Sequence, residues 1–494
     1  MDDDVRGFLR SFRSLAEAAQ RSTVDEGGEP LGERITAYLG TTAAQVAVVT
    51  EEVAGHRFAD WDVALAEVAG RDPEAEEIGV GGGDLRHHLS LADLISGSHG
   101  MPSVGQVDYV SVAVGPHEHR RAMGVGLRLF RHGGVPVVVL QRRGNPQYGR
   151  NRATFEVLCA DDMARDAVLE ELRVLSLERS VLRGKVISFE SSGYGPESEG
   201  VTFFPRPDVD EGEVILPPGS LARITGHVSG IAEHAATLRR YGQHLKRGLL
   251  LFGPPGTGKT HTVRHLIGRN PEHTVVLLAG DSLRFISLAA SLARALQPAV
   301  VVLEDCDLVA EDRGMGDVAR PLLFEVLDAM DGLDADADVT FLLTTNRAEA
   351  LERALVQRPG RVDLAVEIPL PDEAGRRRLL DLYAAQLPLA EQTRAEVARR
   401  TEGTTASFVK ELVRRAVLAA ALADQEPQDR HLLEALDGLL ASQDELTRVL
   451  LGHGRADDSP GADFPDGGAS ADALDLVVED DPLSDERQGR VGPR

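Results

Sequence analysis

Gly253-Pro254-Pro255-Gly256-Thr257-Gly258-Lys259-Thr260 is the stretch that decides how this chain folds. It matches G-x-x-x-x-G-K-[ST], with Gly253, Gly258, Lys259 and Thr260 in the fixed places. The apolar run Gly248 to Phe252 precedes it and reads as a short buried strand. His261 to Ile267 follows and reads as a helix start. Strand, glycine loop and helix together make a phosphate nest. The glycines let successive N–H groups turn inward, and the helix N-terminus adds free N–H groups and the positive end of its dipole. The pattern therefore predicts a triphosphate cradled by Gly253, Pro254, Pro255, Gly256, Thr257, Gly258, Lys259, Thr260 and His261. Lys259 would reach the β and γ phosphates, and the Thr260 hydroxyl would sit on Mg2+. The bland alternative is a turn that merely joins a strand to a helix; a full match in this context argues against it. Only four of the 53 Lys+Arg are lysines: Lys185, Lys246, Lys259 and Lys410. A lysine at this place is easier to explain as a phosphate ligand than by chance.

Downstream, Ala299-Val300-Val301-Val302-Leu303 runs into Glu304-Asp305. A continuous β-branched run without alternation indicates a strand buried on both faces, as in a parallel sheet. Two carboxylates at its tip suit phosphoryl chemistry: Glu304 for the Mg2+ shell, Asp305 to orient and deprotonate the attacking water. Asp307 is placed to support them. Phe341 to Thr345 reads as a third strand, and Asn346 at its tip is placed to touch the γ phosphate or the water. Arg358-Pro359-Gly360-Arg361 presents two guanidinium groups in a tight turn, a fit for the charge that builds on a transferring phosphoryl group. Residues 213–371 are thus expected to form an α/β nucleotide-binding core, 372–451 a helical lid, and 452–494 an acidic tail too polar to order itself.

Upstream the signals are weaker. Residues 1–100 read as a mainly helical region, opening with an amphipathic helix at 5–20, with Trp61 buried. Residues 105–190 read as an α+β module: strands near Tyr109, Val125, Val137, Thr154 and Val186, and a helix from Asp161 to Val181. His132-Gly133-Gly134 signals a hairpin, and Pro136 suggests an edge strand. Residues 191–212 read as a linker. His87, His88, His99, His117 and His119 show no ligand spacing and read as surface residues.

The composition is that of a soluble globular protein, with 42% hydrophobic and 27% charged residues. A formal net charge of −26 argues against a nucleic-acid partner, which needs a basic face. Cys159 and Cys306 lie in apolar runs and read as core residues in a reducing compartment. No signal peptide and no membrane span is visible, so the expected location is the cytoplasm.

The ordered set GPPGTGKT, VVVLED, LLTTN and RPGRVD, followed by a helical lid, resembles the AAA family of ATPases over residues ~214–425. The resemblance implies a phosphate-loop parallel sheet, ATP and Mg2+ as cofactors, and a homo-oligomeric ring, usually a hexamer. ATP then lies at subunit boundaries. Asn346 matches the family's sensor, and Arg358 and Arg361 match its arginine fingers, acting on the neighbour's ATP. Glu402 to Ser407 matches a glycine–alanine signal near the adenine, with Ala406 as the contact. Three departures stand out. The acidic pair is Glu304-Asp305, where most relatives have Asp then Glu. The tyrosine–valine–glycine pore loop is missing, with Phe285 and Ile286 as weak substitutes. The lid signal is degraded. The chain looks most like the branch of the mitochondrial ATPase that assembles respiratory complex III, without that branch's membrane helix. The expected function is an ATP-hydrolysing ring that remodels or assembles an unidentified protein client. The alternatives are a nucleotide-gated scaffold with slow turnover and a DNA-associated switch, which the net charge disfavours.

Overall fold

The computed structural model describes residues 28–81, 86–96, 102–145, 147, 150–190, 200–306, 328, 337–347 and 362–450. The expected N-terminal helix at 5–20, Asp307, Arg358, Arg361 and the tail at 452–494 lie outside them. The chain divides into Met1–Asp437, which holds both sheets, and Gly438–Arg494, of which the described part is the end of one helix.

The first sheet draws on residues 48–158. In chain order its module comprises α1 (Leu31–Leu39), β1 (Val48–Val53), α2 (Phe58–Ala69), β2 (Glu76–Val80), α3 (Leu91–Ser96), β3 (Val104–Gly105), β4 (Asp108–Ala113), β5 (His119–His132), β6 (Val135–Arg142), β7 (Ala153–Leu158) and α4 (Asp162–Glu178). The strand order is β1-β7-β6-β5-β2-β3, with β4 also on β5, and all pairs are antiparallel. Gly133 (φ 57°) and Gly134 (φ 85°) close the β5–β6 hairpin, since a two-residue turn that matches strand twist needs positive φ at both positions. Along β6 the side chains alternate between two cores. Val137 and Val139 join Trp61, Phe155 and Leu172 under α2 and α4; Val138 and Leu140 join Ile35, Leu94 and Leu127 under α1 and α3. Helices on both faces explain why β6 reads as an unbroken apolar run.

Two expectations meet a different arrangement here. Helices outnumber strands among the described residues up to 100, but this region does not stand apart from the α+β module: β1 and β2 are strands of the same sheet as β5–β7. Their partners lie far along the chain, Val48 opposite Leu158 and Ile78 opposite Leu127, so no local pattern announces them. Nor is β6 an edge strand. Pro136 is tolerated because the β7 ladder starts only at Val138, so its missing N–H breaks no bond on that side.

The second sheet contains β8 (Val186–Glu190), β9 (Gly200–Phe204), β10 (Arg247–Phe252), β11 (Thr274–Ala279), β12 (Ala299–Glu304), β13 (Val339–Thr345) and β14 (Leu364–Glu367), in the order β14-β10-β13-β12-β11-β8-β9. Strand β8 pairs parallel with β11, and β9 antiparallel with β8. The nucleotide core therefore starts near 186. The strand expected at Val186 belongs to this sheet and not to the α+β module, and β9 lies within the stretch 191–212 expected as linker. Around this sheet lie α5 (Ser220–Glu233), α6 (Ala235–Arg240), α7 (Lys259–Arg269) and α8 (Ile286–Ala295). Parallel strands β10–β14 with helices on both faces form a phosphate-loop α/β fold. Helices α9 (Glu373–Tyr383), α10 (Glu391–Arg400), α11 (Ala406–Leu422) and α12 (Asp429–Leu450) follow it. Asp372 caps α9 by accepting from Gly375 N at 2.7 Å, and Thr405 caps α11 by accepting from Phe408 N at 3.3 Å. Among the described residues no helix is long and apolar enough to cross a membrane.

Candidate active site

Strand β10 delivers the chain to the glycine loop, and α7 leaves it at Lys259. Gly253 takes φ 147°, and a Cβ there would lie 2.2 Å from the Ile368 carbonyl oxygen. Only glycine permits that crossing of the chain after β14. Gly256 (φ 77°) lies under the first turn of α11, where Ser407 N donates to its carbonyl at 3.1 Å. The lid is thus hydrogen-bonded to the loop.

Lys259 is 5% exposed, and its ammonium donates to groups of the loop and of β13's tip. It donates to Gly253 O at 2.8 Å, Pro254 O at 2.9 Å and Asn346 Oδ1 at 2.8 Å. Asn346 in turn donates from Nδ2 to Asp305 Oδ1 at 3.3 Å. The tips of β10, β12 and β13 therefore bring Lys259, Asp305 and Asn346 into one chain of contacts. Beside them Thr260 neighbours Glu304, whose pKa its hydroxyl helps to lower. Burial pushes the Glu304 carboxyl above the usual range and the adjoining Asp305 charge adds to this; Arg264 and Thr260 oppose it. A hard-oxygen pair of one carboxylate and one hydroxyl next to a phosphate nest fits Mg2+, which keeps waters and substrate phosphates as its remaining ligands.

A cavity of about 180 Å³ opens next to the loop, between Ile215, Leu216, Thr257, Pro371, Leu379 and Ala406. Its apolar walls are those of a site for a flat apolar ring, and Ala406 is one of the residues that line it. Burial lowers the pKa of His261, and the Glu213 backbone and charge oppose the shift. Phe285 and Ile286 are 6% and 0% exposed and belong to the sheet's core, with Phe285 against Phe189 at 5.9 Å. They cannot serve as exposed paddles, which removes them as pore-loop substitutes. Asp363, just after the arginine turn, is locked to Gly248 of β10 by bonds of 2.9 and 3.0 Å.

Two contributors escaped sequence reading. Thr344 contacts the Asp305 backbone, and Ser407 contacts the phosphate loop. Thr344 stands in an apolar strand next to a second threonine, with nothing to separate their roles. Ser407 was visible only as part of a degraded motif.

Residues 249–370 match the family described as "ATPase family associated with various cellular activities (AAA)". These residues form an AAA ATPase domain. The relatives found include "ATP-dependent zinc metalloprotease FtsH" of Cutibacterium acnes, 30% identical over 280 residues, covering 52% of this chain and 39% of that protein. "Cell division cycle protein 48 homolog" of Archaeoglobus fulgidus is 31% identical over 199 residues, covering 38% and 27%. "Proteasome-activating nucleotidase" of Methanocaldococcus jannaschii is 34% identical over 194 residues, covering 36% and 44%. The chain spans less than half the length of each. The AAA domain is what they share, and ATP hydrolysis is its activity. The 494 residues contain no His-Glu-x-x-His, so the zinc-protease part of the first name has no counterpart motif here. These relatives do not single out the complex III assembly branch.

Proposed function

We propose that this AAA protein hydrolyses ATP as an oligomeric ring, usually a hexamer in this family, and uses the cycle to remodel or assemble a protein client. The observation that carries the site assignment is the Lys259–Asn346–Asp305 chain of hydrogen bonds. Lys259 exchanges its carbonyl partners Gly253 and Pro254 for the β and γ phosphates. Thr260 and Glu304 would hold Mg2+, which would supply charge neutralisation. Asp305 accepts a proton from the attacking water, and Asn346 fixes that carboxylate and the γ phosphate relative to each other. Arg358 and Arg361 act on the ATP of the adjacent subunit. The base lies against Ala406. The relatives named for proteolysis, cell division and proteasome activation support a protein client. Cys159 and Cys306 are not joined in a disulfide, in keeping with a cytoplasmic setting.

Asp305→Asn tests this reading directly. The variant should bind ATP and fail to hydrolyse it, and pull-down with it should retain the client. Full turnover would remove Asp305 from the mechanism. The second reading, a nucleotide-gated scaffold, draws on the burial of Phe285 and Ile286, which leaves no aromatic paddle at that position. A scaffold would show slow turnover indifferent to any captured client; a remodeller would speed up.

A further inference from the structure

Asp305 is one of two non-glycine residues among those described with positive φ, here 49°. It stands where the strand ladders end. Leu303 is the last β12 residue paired with β13, and Glu304 the last paired with β11. Beyond that point the backbone N–H groups need other partners. Thr344 supplies them. Its Oγ1 accepts from Asp305 N at 3.0 Å, and its carbonyl accepts from Cys306 N at 3.0 Å. One residue thus grips the amides on both sides of the Asp305 α-carbon. Thr344 is itself immobile, 1% exposed and held in β13 opposite Leu251 of β10. The consequence follows from side-chain length. An aspartate has one carbon fewer than a glutamate and little reach of its own, so its backbone decides where the carboxylate stands. The left-handed turn is what carries the Asp305 carboxylate to Asn346 Nδ2 at 3.3 Å.

We infer that Thr344 is a positioning residue for ATP hydrolysis, its hydroxyl holding the turn that aims the Asp305 carboxylate. The inference rests on the reading of Asp305 as the group that activates water. The decisive comparison is Thr344→Ser against Thr344→Ala in the full chain. Both lose the methyl group, and they differ only in the hydroxyl. Thr344→Val, which keeps the shape and loses the acceptor, is the third variant. The serine variant should keep kcat within about threefold of the parent. Alanine and valine should lose roughly ten- to a hundredfold in kcat, the scale of a misplacement near 1 Å, while KM for ATP and the affinity for a fluorescent ATP analogue stay within about twofold. Equal kcat for the serine and alanine variants overturns the inference, as does a loss confined to affinity. If valine fails to fold, the serine–alanine pair still decides. Asp305→Asn, run alongside, separates the two levels. An active Asp305→Asn overturns the reading of Asp305 itself. An inactive one, with Thr344→Ala fully active, overturns the role of Thr344 alone.

Discussion

Lys259 brings a positive charge into a nearly closed site, where it donates to two main-chain carbonyls and one amide oxygen. These are contacts that an ammonium can exchange for the oxygens of an anion. Lys259→Ala should therefore weaken ATP binding by roughly a hundredfold or more, the cost of truncating one partner of a buried charge pair. Equilibrium titration with a fluorescent nucleotide measures it, and near-normal affinity would contradict the assignment. Glu304 makes the opposite case. Its carboxyl is held above the usual range by burial first and by the Asp305 charge second. The folded state therefore favours the protonated form, a stabilisation present below the unfolded pKa and lost as pH rises through the raised folded value. Glu304→Gln removes the charge that burial disfavours; it should raise the Tm of the nucleotide-free protein and at the same time abolish Mg2+-dependent turnover. In the parent, the Mg2+ concentration needed for half-maximal activity should climb at a higher pH, on acidification, than for an ordinary glutamate. Much of this site is legible in the one-dimensional text. The glycine loop, the acidic pair and Asn346 each end an apolar strand, and parallel strands put such ends together. What is not legible is the partner list: that Lys259 rests on Asn346, or that Thr344 and not Thr345 faces the Asp305 amide, depends on a register set by the whole sheet.

Between the two sheets, a few contacts do the joining. His56, in the turn Gly55–Arg57, packs edge-on against Phe189 of β8 at 5.5 Å, and Phe189 packs on Phe285 at 5.9 Å. From α2, Asp60 accepts from Ser180 Oγ at 2.9 Å and Val181 N at 2.7 Å, just past the end of α4. Burial, aided by the neighbouring Arg57 charge, lowers the His56 pKa to about 4. A histidine held neutral in the fold contributes stability above its unfolded pKa of about 6.5. That contribution is lost as pH falls from there toward 4, and its ceiling is about 3 kcal/mol. His56→Phe keeps a ring against Phe189 and removes the titration. Thermal unfolding at pH 7 and pH 5 should show a clearly smaller acid-induced drop in Tm for the variant. An unchanged drop would place the acid sensitivity elsewhere. The segment that ends in Phe285 stands in place of a substrate-gripping loop, and its aromatic ring is spent on this joint. Hydrophobicity alone could not separate the two uses of Phe285, because an exposed paddle and a buried wedge look the same in sequence.

At the scale of the molecule, the second sheet could be read from sequence because its strands are buried on both faces and appear as unbroken apolar runs. The first was legible only in part: β4 to β7 read as strands, but β1 meets β7 only after a hundred intervening residues, and β8, which follows α4 directly, leaves this module to pair with β11 of the second sheet. Whether this chain works alone or in a ring is the question its active site leaves to the arginine turn. Subunit mixing answers it. Lys259→Ala should be inactive because it binds no ATP, and the double variant Arg358→Ala with Arg361→Ala should be inactive because its neighbours receive no guanidinium. If the arginines act across a boundary, a subunit of the first kind still lends its arginines to a neighbour of the second kind, whose ATP site is intact. In a random equal mixture half the subunits keep that site and half of those have a donating neighbour. About a quarter of parental turnover should therefore return on mixing, and should fall away on dilution as the ring dissociates. Arginines acting on their own subunit's ATP would leave the mixture as dead as its components.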